Sequence, residues 1–138
     1  MRTPLPYEDL TEKIIACGIE VHTQLGPGLL ESVYQDAFGI ELATAGLTVV
    51  AGLGVPLVYK GHEIAHSLRL DLLVNDLVIV EIKAVERFHP VHIAQLITYL
   101  KLANKPRGLL INFSVTSLRL AGIRSAVHPD LYKKSKET

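Results

Sequence analysis

Residues 68–83 read LRLDLLVNDLVIVEIK. Leu70, Leu72, Leu73 and Val74 surround Asp71, while Leu77 to Val80 and Ile82 surround Glu81 and Lys83. Runs this apolar describe central strands covered on both faces. Asn75-Asp76 is a turn signal between them. An ionised carboxylate in such a strand is unfavourable unless something pairs with it. Asp71, Glu81 and Lys83 therefore require explanation.

Side chains alternate along a strand, so Glu81 and Lys83 share a face, as do Arg69 and Asp71. If the two runs form a hairpin, the loop length sets which residues meet. A two-residue loop at Asn75-Asp76 pairs Asp71 with Val80 and puts the two carboxylates on opposite faces. A three-residue loop, Asn75 to Leu77, pairs Asp71 with Glu81 and Arg69 with Lys83. The expectation is this odd loop or an equivalent bulge. Facing carboxylates repel, and a divalent cation between them would relieve that repulsion. Hard oxygen donors without Cys or clustered His suit Mg²⁺ or Mn²⁺ rather than zinc. Lys83 could hold a water or a phosphate oxygen nearby. That is equipment for hydrolysing a phosphodiester. The alternative is a buried ion-pair cluster of Asp71, Glu81, Lys83 and Arg69, which looks the same in sequence.

Working outward, Thr11 to Leu25 has helical spacing in Ile14, Ile15, Gly18, Val21, His22 and Leu25. Gly26-Pro27-Gly28 breaks the chain. A second helix is expected from about Leu29 to Ala45, closed by Gly46. LTVVA and VPLVYK read as strands before the hairpin, with Lys60-Gly61-His62 as a turn. His89-Pro90 opens a third helix, about Val91 to Asn104, which Lys105-Pro106 ends. RGLLINFS and SLRLAGIR read as two closing strands. The order predicts a mixed α/β domain with a central sheet flanked by helices.

The chain has 138 residues, 49% of them apolar, and a mean hydropathy of +0.30. That is one domain's worth with a real core, which excludes disordered and fibrous classes. The expected domain covers 1–138, with a core from about 11 to 124 and a flexible tail at 131–138. One cysteine, Cys17, excludes an internal disulfide and a Cys-based zinc site. The start, MRTPLPYEDL, lacks the apolar stretch of a signal peptide, and no run is long enough to span a membrane. A cytoplasmic protein without a membrane partner is expected. The formal net charge is zero, which argues against a nucleic-acid binder on bulk charge alone. The zero conceals a net −6 over residues 1–100 and a net +6 over residues 101–138. The first includes Glu31, Asp71 and Glu81. The second includes Arg119, Arg124, Lys133 and Lys134, which could touch a nucleic-acid backbone or form a solvated basic end.

Asp71 followed across a strand turn by Glu81-Ile82-Lys83 resembles the signature of the PD-(D/E)XK nuclease superfamily. Gly28-Leu-Leu-Glu31-Ser-Val-Tyr34 resembles the motif that names its GxxExxY branch. Gln95-Leu-Ile-Thr-Tyr99 resembles the QxxxY motif on the helix after the ExK strand in RecB-like exonucleases. RGLLINF is similar to the branch's closing strand. The resemblance spans about Ile14 to Arg124, with Leu70 rather than Pro before Asp71.

The resemblance implies a restriction-endonuclease-like α/β core. It implies Asp71, Glu81 and the backbone carbonyl of Ile82 as ligands of Mg²⁺ or Mn²⁺. Lys83 would orient or activate the attacking water, and Glu31 would add a carboxylate from the second helix, as a ligand or through water. Gln95 and Tyr99 would position the third helix or a nucleic-acid phosphate beside the site. Read without the resemblance, Glu31 complements a helix dipole, and Tyr34 lies in an apolar stripe and packs. Gln95 and Tyr99 lie off the Ile93–Ile97–Leu100 stripe. The implied function is a metal-dependent nuclease, with DNA as the expected substrate and a homodimer as the expected assembly. The alternatives are a non-catalytic nucleic-acid-binding or protein-interaction module on the same fold, and a hydrolase of another phosphate ester.

Overall fold

A computed structural model describes residues 5–131, with only the backbone described at residues 66 and 67. Two helices, α1 (Glu8–Leu25) and α2 (Glu31–Thr44), come first. Three strands follow: β1 (Val49–Tyr59), β2 (His62–Val74) and β3 (Val78–Lys83). Helix α3 (Pro90–Ala103) then leads to β4 (Arg107–Asn112), and a helical turn α4 (Leu118–Ala121) leads to β5 (Ile123–Val127). The strands form one sheet in the order β1-β2-β3-β4-β5. Among the described strands β3 and β4 pair in parallel, which needs the crossover that α3 supplies, and the other neighbours are antiparallel. The mixed sheet with flanking helices matches the expected fold class.

The central strands are the apolar ones because both their faces are covered. Helices α1 and α2 lay Ile14, Val21, Phe38 and Leu42 against Val78, Val80, Leu109 and Ile111. On the other face, Leu96 and Leu100 of α3 meet Leu70, Leu73, Ile79 and Leu110. Close approach is built in at Gly108, where a Cβ would lie 2.8 Å from the Leu96 side chain. An alanine there would force the Leu96 side chain to shift.

The hairpin between β2 and β3 takes the odd register. Asn75 and Asp76 both have positive φ, 52° and 57°, which Asn and Asp tolerate better than most residues. Leu77 N–H closes the turn onto the Val74 carbonyl at 3.0 Å. The ladder then pairs Val74 with Val78, Leu73 with Ile79 and Leu72 with Val80, so Leu77 is the extra residue. The ladder stops there, and the expected Arg69–Lys83 pair does not form. Arg69 instead lies opposite Gly54 of β1.

Two expectations need correcting. LTVVA and VPLVYK belong to one strand, β1, which bends at Gly52 (φ 65°) and shifts register between Val55 and Leu57. Ser117–Arg124 is not one strand, because its first part is the α4 turn. Ser117 caps that turn by accepting the Leu120 N–H. Gly122 ends it where a Cβ would lie 2.7 Å from the Asn112 carbonyl oxygen. Residues 132–138, which hold most of the expected tail with Lys133 and Lys134, lie outside the described residues. Among the described residues no helix is long and apolar enough to cross a membrane.

Candidate active site

At the point where β2 leaves β3, Asp71 and Glu81 come together. The Asp71 carboxylate accepts the Ile82 N–H at 2.8 Å, and the Glu81 carboxylate accepts the Asp71 N–H at 3.3 Å. Each side chain thus occupies a place that a backbone group would take in a continued ladder. A residue's N–H and C=O lie on the same edge of a strand. The Ile82 carbonyl therefore also faces this gap.

Glu81 is only 6% exposed. Burial, and next the neighbouring charge of Asp71, push its carboxyl from 4.5 up to about 8, while Lys83 pulls it the other way. Without a cation the pair thus holds a proton more firmly than an isolated carboxyl does. Two carboxylates and a carbonyl form a hard, anionic donor set. The residues present therefore fit a divalent cation, which would replace that proton.

Lys83 is half-buried at the end of β3. Its backbone carbonyl accepts the Phe113 N–H at 2.9 Å. The segment after it is held by Asn112, a buried side chain that accepts the Val85 N–H at 3.1 Å and donates to the Val85 carbonyl at 2.8 Å. It also accepts the Ser114 N–H at 3.1 Å. Sequence reasoning missed this role for Asn112. Its signal was visible, since a lone amide inside RGLLINF must find partners.

Tyr99 faces the carboxylate pair from α3. Burial, then the charge of Glu81, raises its hydroxyl above the ordinary range, although the Gln95 hydrogen bond opposes this. Gln95 donates to the Tyr99 hydroxyl at 2.8 Å. The phenol thus stays protonated at neutral pH and keeps its own proton to donate.

Glu31 stands exposed in the first turn of α2. Among the described residues no three of His, Cys, Asp and Glu are gathered as a metal cluster. The structure brings two carboxylates together and places Glu31 apart from them. One turn further along the helix, Gln35 donates to the Asp71 backbone carbonyl at 3.0 Å. Sequence reasoning missed Gln35 as well, and nothing in its setting singles it out.

Tyr34 is fully buried and stacks on Phe113, with ring centroids 4.4 Å apart. Its hydroxyl donates to the Gly26 carbonyl at 2.5 Å and accepts the Leu29 N–H at 3.1 Å. It braces the loop whose left-handed Gly28 (φ 104°) leads into Glu31.

A family model described as the PD-(D/E)XK nuclease superfamily matches residues 8–125. The chain belongs to that superfamily. No curated protein and no solved structure matches the chain. Membership supports nuclease-like function, and nucleases of this superfamily generally use divalent metals and act on nucleic acid.

The basic excess after residue 100 is partly spent on the fold. Lys105 pairs with Asp76 of the hairpin at 2.8 Å. Arg107 is buried, and its guanidinium donates to Ser125 and to the Pro6 carbonyl and pairs with Glu8. Arg119 and Arg124 are exposed, and the Arg124 guanidinium lies 4.8 Å from the centre of the Phe88 ring.

Proposed function

We propose that the protein is a metal-dependent nuclease that hydrolyses phosphodiester bonds, with DNA as its substrate. The observation that carries this reading is the Asp71–Glu81 pair at the split between β2 and β3, with Lys83 two residues beyond Glu81. Asp71, Glu81 and the Ile82 carbonyl would hold Mg²⁺ or Mn²⁺. Such an ion, when bound, supplies a Lewis acid and lowers the pKa of water. Lys83 orients the attacking water and places positive charge where negative charge develops. Tyr99, steadied by Gln95, donates a hydrogen bond to a substrate phosphate oxygen. Glu31 contributes a carboxylate at the rim, acting through water.

Gly28, Glu31 and Tyr34 support placing the chain in the GxxExxY branch, since Tyr34 braces the loop that presents Glu31. The Asp71–Glu81 pair is a single cutting centre. A homodimer would supply one for each strand of a duplex. We place this activity in the cytoplasm.

The test is cleavage of plasmid, linear duplex DNA, single-stranded DNA and RNA, with Mg²⁺ or Mn²⁺ and with chelator. Cleavage of DNA that needs metal and is lost in Asp71→Ala and Lys83→Ala is the expected result. Activity that survives both substitutions belongs to a contaminant. Nucleic-acid binding with no cleavage of any substrate would instead favour a non-catalytic module.

A further inference from the structure

Asp71 lies at a fault in the sheet. Leu70 and Leu73 of β2 both pack on the α3 face, while Leu72 and Val74 pack on the α1/α2 face. Strict alternation would put Leu70, Leu72 and Val74 on one face. The strand therefore changes face between Leu70 and Leu72, at Asp71.

Its neighbour β1 does the same. Val49 packs with the α1/α2 cluster, but Leu53 and Val55 pack on the α3 face. The step falls at Gly52, whose φ of 65° favours glycine. The β1–β2 ladder pairs Ala51 with Leu72 and Leu53 with Leu70, and no ladder pair includes Gly52 or Asp71. On its other side β2 is paired with β3 only as far as Leu72. Asp71 is thus held by neither ladder.

Side chains take over there. Glu81 accepts the Asp71 N–H, and the Asp71 carboxylate accepts the Ile82 N–H. The third contact comes from outside the sheet, where Gln35 of α2 donates to the Asp71 carbonyl at 3.0 Å. Gln35 is 36 residues away in sequence and half-buried. It ties the backbone of Asp71 to a helix that is itself anchored by Phe38 and Leu42 in the core.

We propose that Gln35 is a positioning residue, which sets the Asp71 carboxylate across the β2–β3 gap by fixing the Asp71 backbone from α2. The residue needs no contact with substrate or metal to act. Its role in catalysis rests on the nuclease reading, but its role in placing Asp71 does not.

The experiment compares Gln35→Met, which keeps the length and removes the donor, with Gln35→Lys, which restores a donor of similar reach. Hydrogen exchange of the Ile82 amide is read by NMR in metal-free protein, beside the amides of Leu109 and Ile111. The loss of one hydrogen bond predicts Ile82 exchange about 3- to 10-fold faster in Gln35→Met, with the β4 amides unchanged. Gln35→Lys should return Ile82 to near the wild-type rate. Calorimetry with Mn²⁺ alone should show affinity weakened by a similar factor in Gln35→Met and recovered in Gln35→Lys. An Ile82 rate unmoved by Gln35→Met would overturn the proposal. So would acceleration shared equally by the β4 amides, which would mean general destabilisation. If Ile82 responds but no variant or wild type binds Mn²⁺, Gln35 positions Asp71 as stated and the metal-dependent nuclease reading fails.

Discussion

On the α1/α2 face of the sheet, β3 presents Val78, Val80 and Ile82 to a cluster that includes the Tyr34–Phe113 stack and the Phe38 ring set edge-on to Phe113. On the α3 face the same strand presents Ile79 to Leu96 and Leu100, and then Glu81 and Lys83. One face is packed to its end with apolar side chains. The other changes at its end from apolar to charged, under Tyr99. Strand alternation lets six residues serve both purposes. Both faces carry core, but only the α3 face ends in charged side chains, so substitutions at the two ends should separate packing from the proposed chemistry.

The sharpest way to break that comparison is to alter the α3 side. Asp71→Ala or Lys83→Ala should lower the rate of DNA cleavage at least about 10³-fold, as loss of a charge-stabilising group does. The urea midpoint of Lys83→Ala should stay close to wild type, and Asp71→Ala should lose no more than about 1–3 kcal/mol, the cost of an unpaired Ile82 N–H. A large fall in stability in both would mean that the charges serve the fold.

The reverse experiment is Phe113→Ala on the α1/α2 face. It removes a fully buried ring and its stack on Tyr34, and should cost about 3–5 kcal/mol in denaturant unfolding. Cleavage per folded molecule, measured well below the unfolding midpoint, should change far less than in Asp71→Ala. A loss under about 1 kcal/mol would contradict the packing role of the Phe113 ring.

A smaller effect sharpens the electrostatic half. Glu81 binds its proton more tightly in the folded chain, at about 8, than at its ordinary 4.5. The raised value means that its contribution to metal-free stability is complete below the unfolded value and is lost as pH rises through about 8. The melting temperature of metal-free protein should therefore fall between about pH 6 and about pH 9, by several degrees more in wild type than in Glu81→Gln. Mn²⁺ should offset the fall, because it favours the ionised carboxylate. Equal slopes in the two proteins would remove Glu81 as the cause.

The smallest effect is expected at the hairpin surface. Lys105→Ala breaks the pair with Asp76, whose side chain is 83% exposed. The change should be below about 1 kcal/mol. A larger loss would mean that this pair helps to set the hairpin register.

The hairpin was the most legible part of the sequence. Asn75-Asp76 marked the turn, and two apolar runs around Asp71 and Glu81 made only an odd register consistent with facing carboxylates. The helices were legible from periodicity, and their ends differ from expectation by a few residues. The α4 turn was not legible, because Leu118, Leu120 and Ile123 also suit a strand, and the Ser117 cap and the crowding at Gly122 appear only in three dimensions. The end of the β2–β3 ladder was hidden for a similar reason. Gly52 looked like any glycine in a strand, yet its positive φ accompanies the turning of β1 and β2 away from β3 and the loss of the Arg69–Lys83 pair. Of the candidate site, Asp71 and Glu81 were legible because charge is rare inside apolar strands. Gln35 was not, since a glutamine on a helix is commonplace and its target is a backbone carbonyl.

The central claim is that the Asp71–Glu81 gap is a divalent-cation site. A crystal soaked in Mn²⁺ and measured for anomalous scattering tests it directly. The account predicts a peak between the Asp71 and Glu81 carboxylates, in reach of the Ile82 carbonyl. Absence of that peak at millimolar Mn²⁺, with the two side chains still bonded to the Ile82 and Asp71 amides, would contradict it.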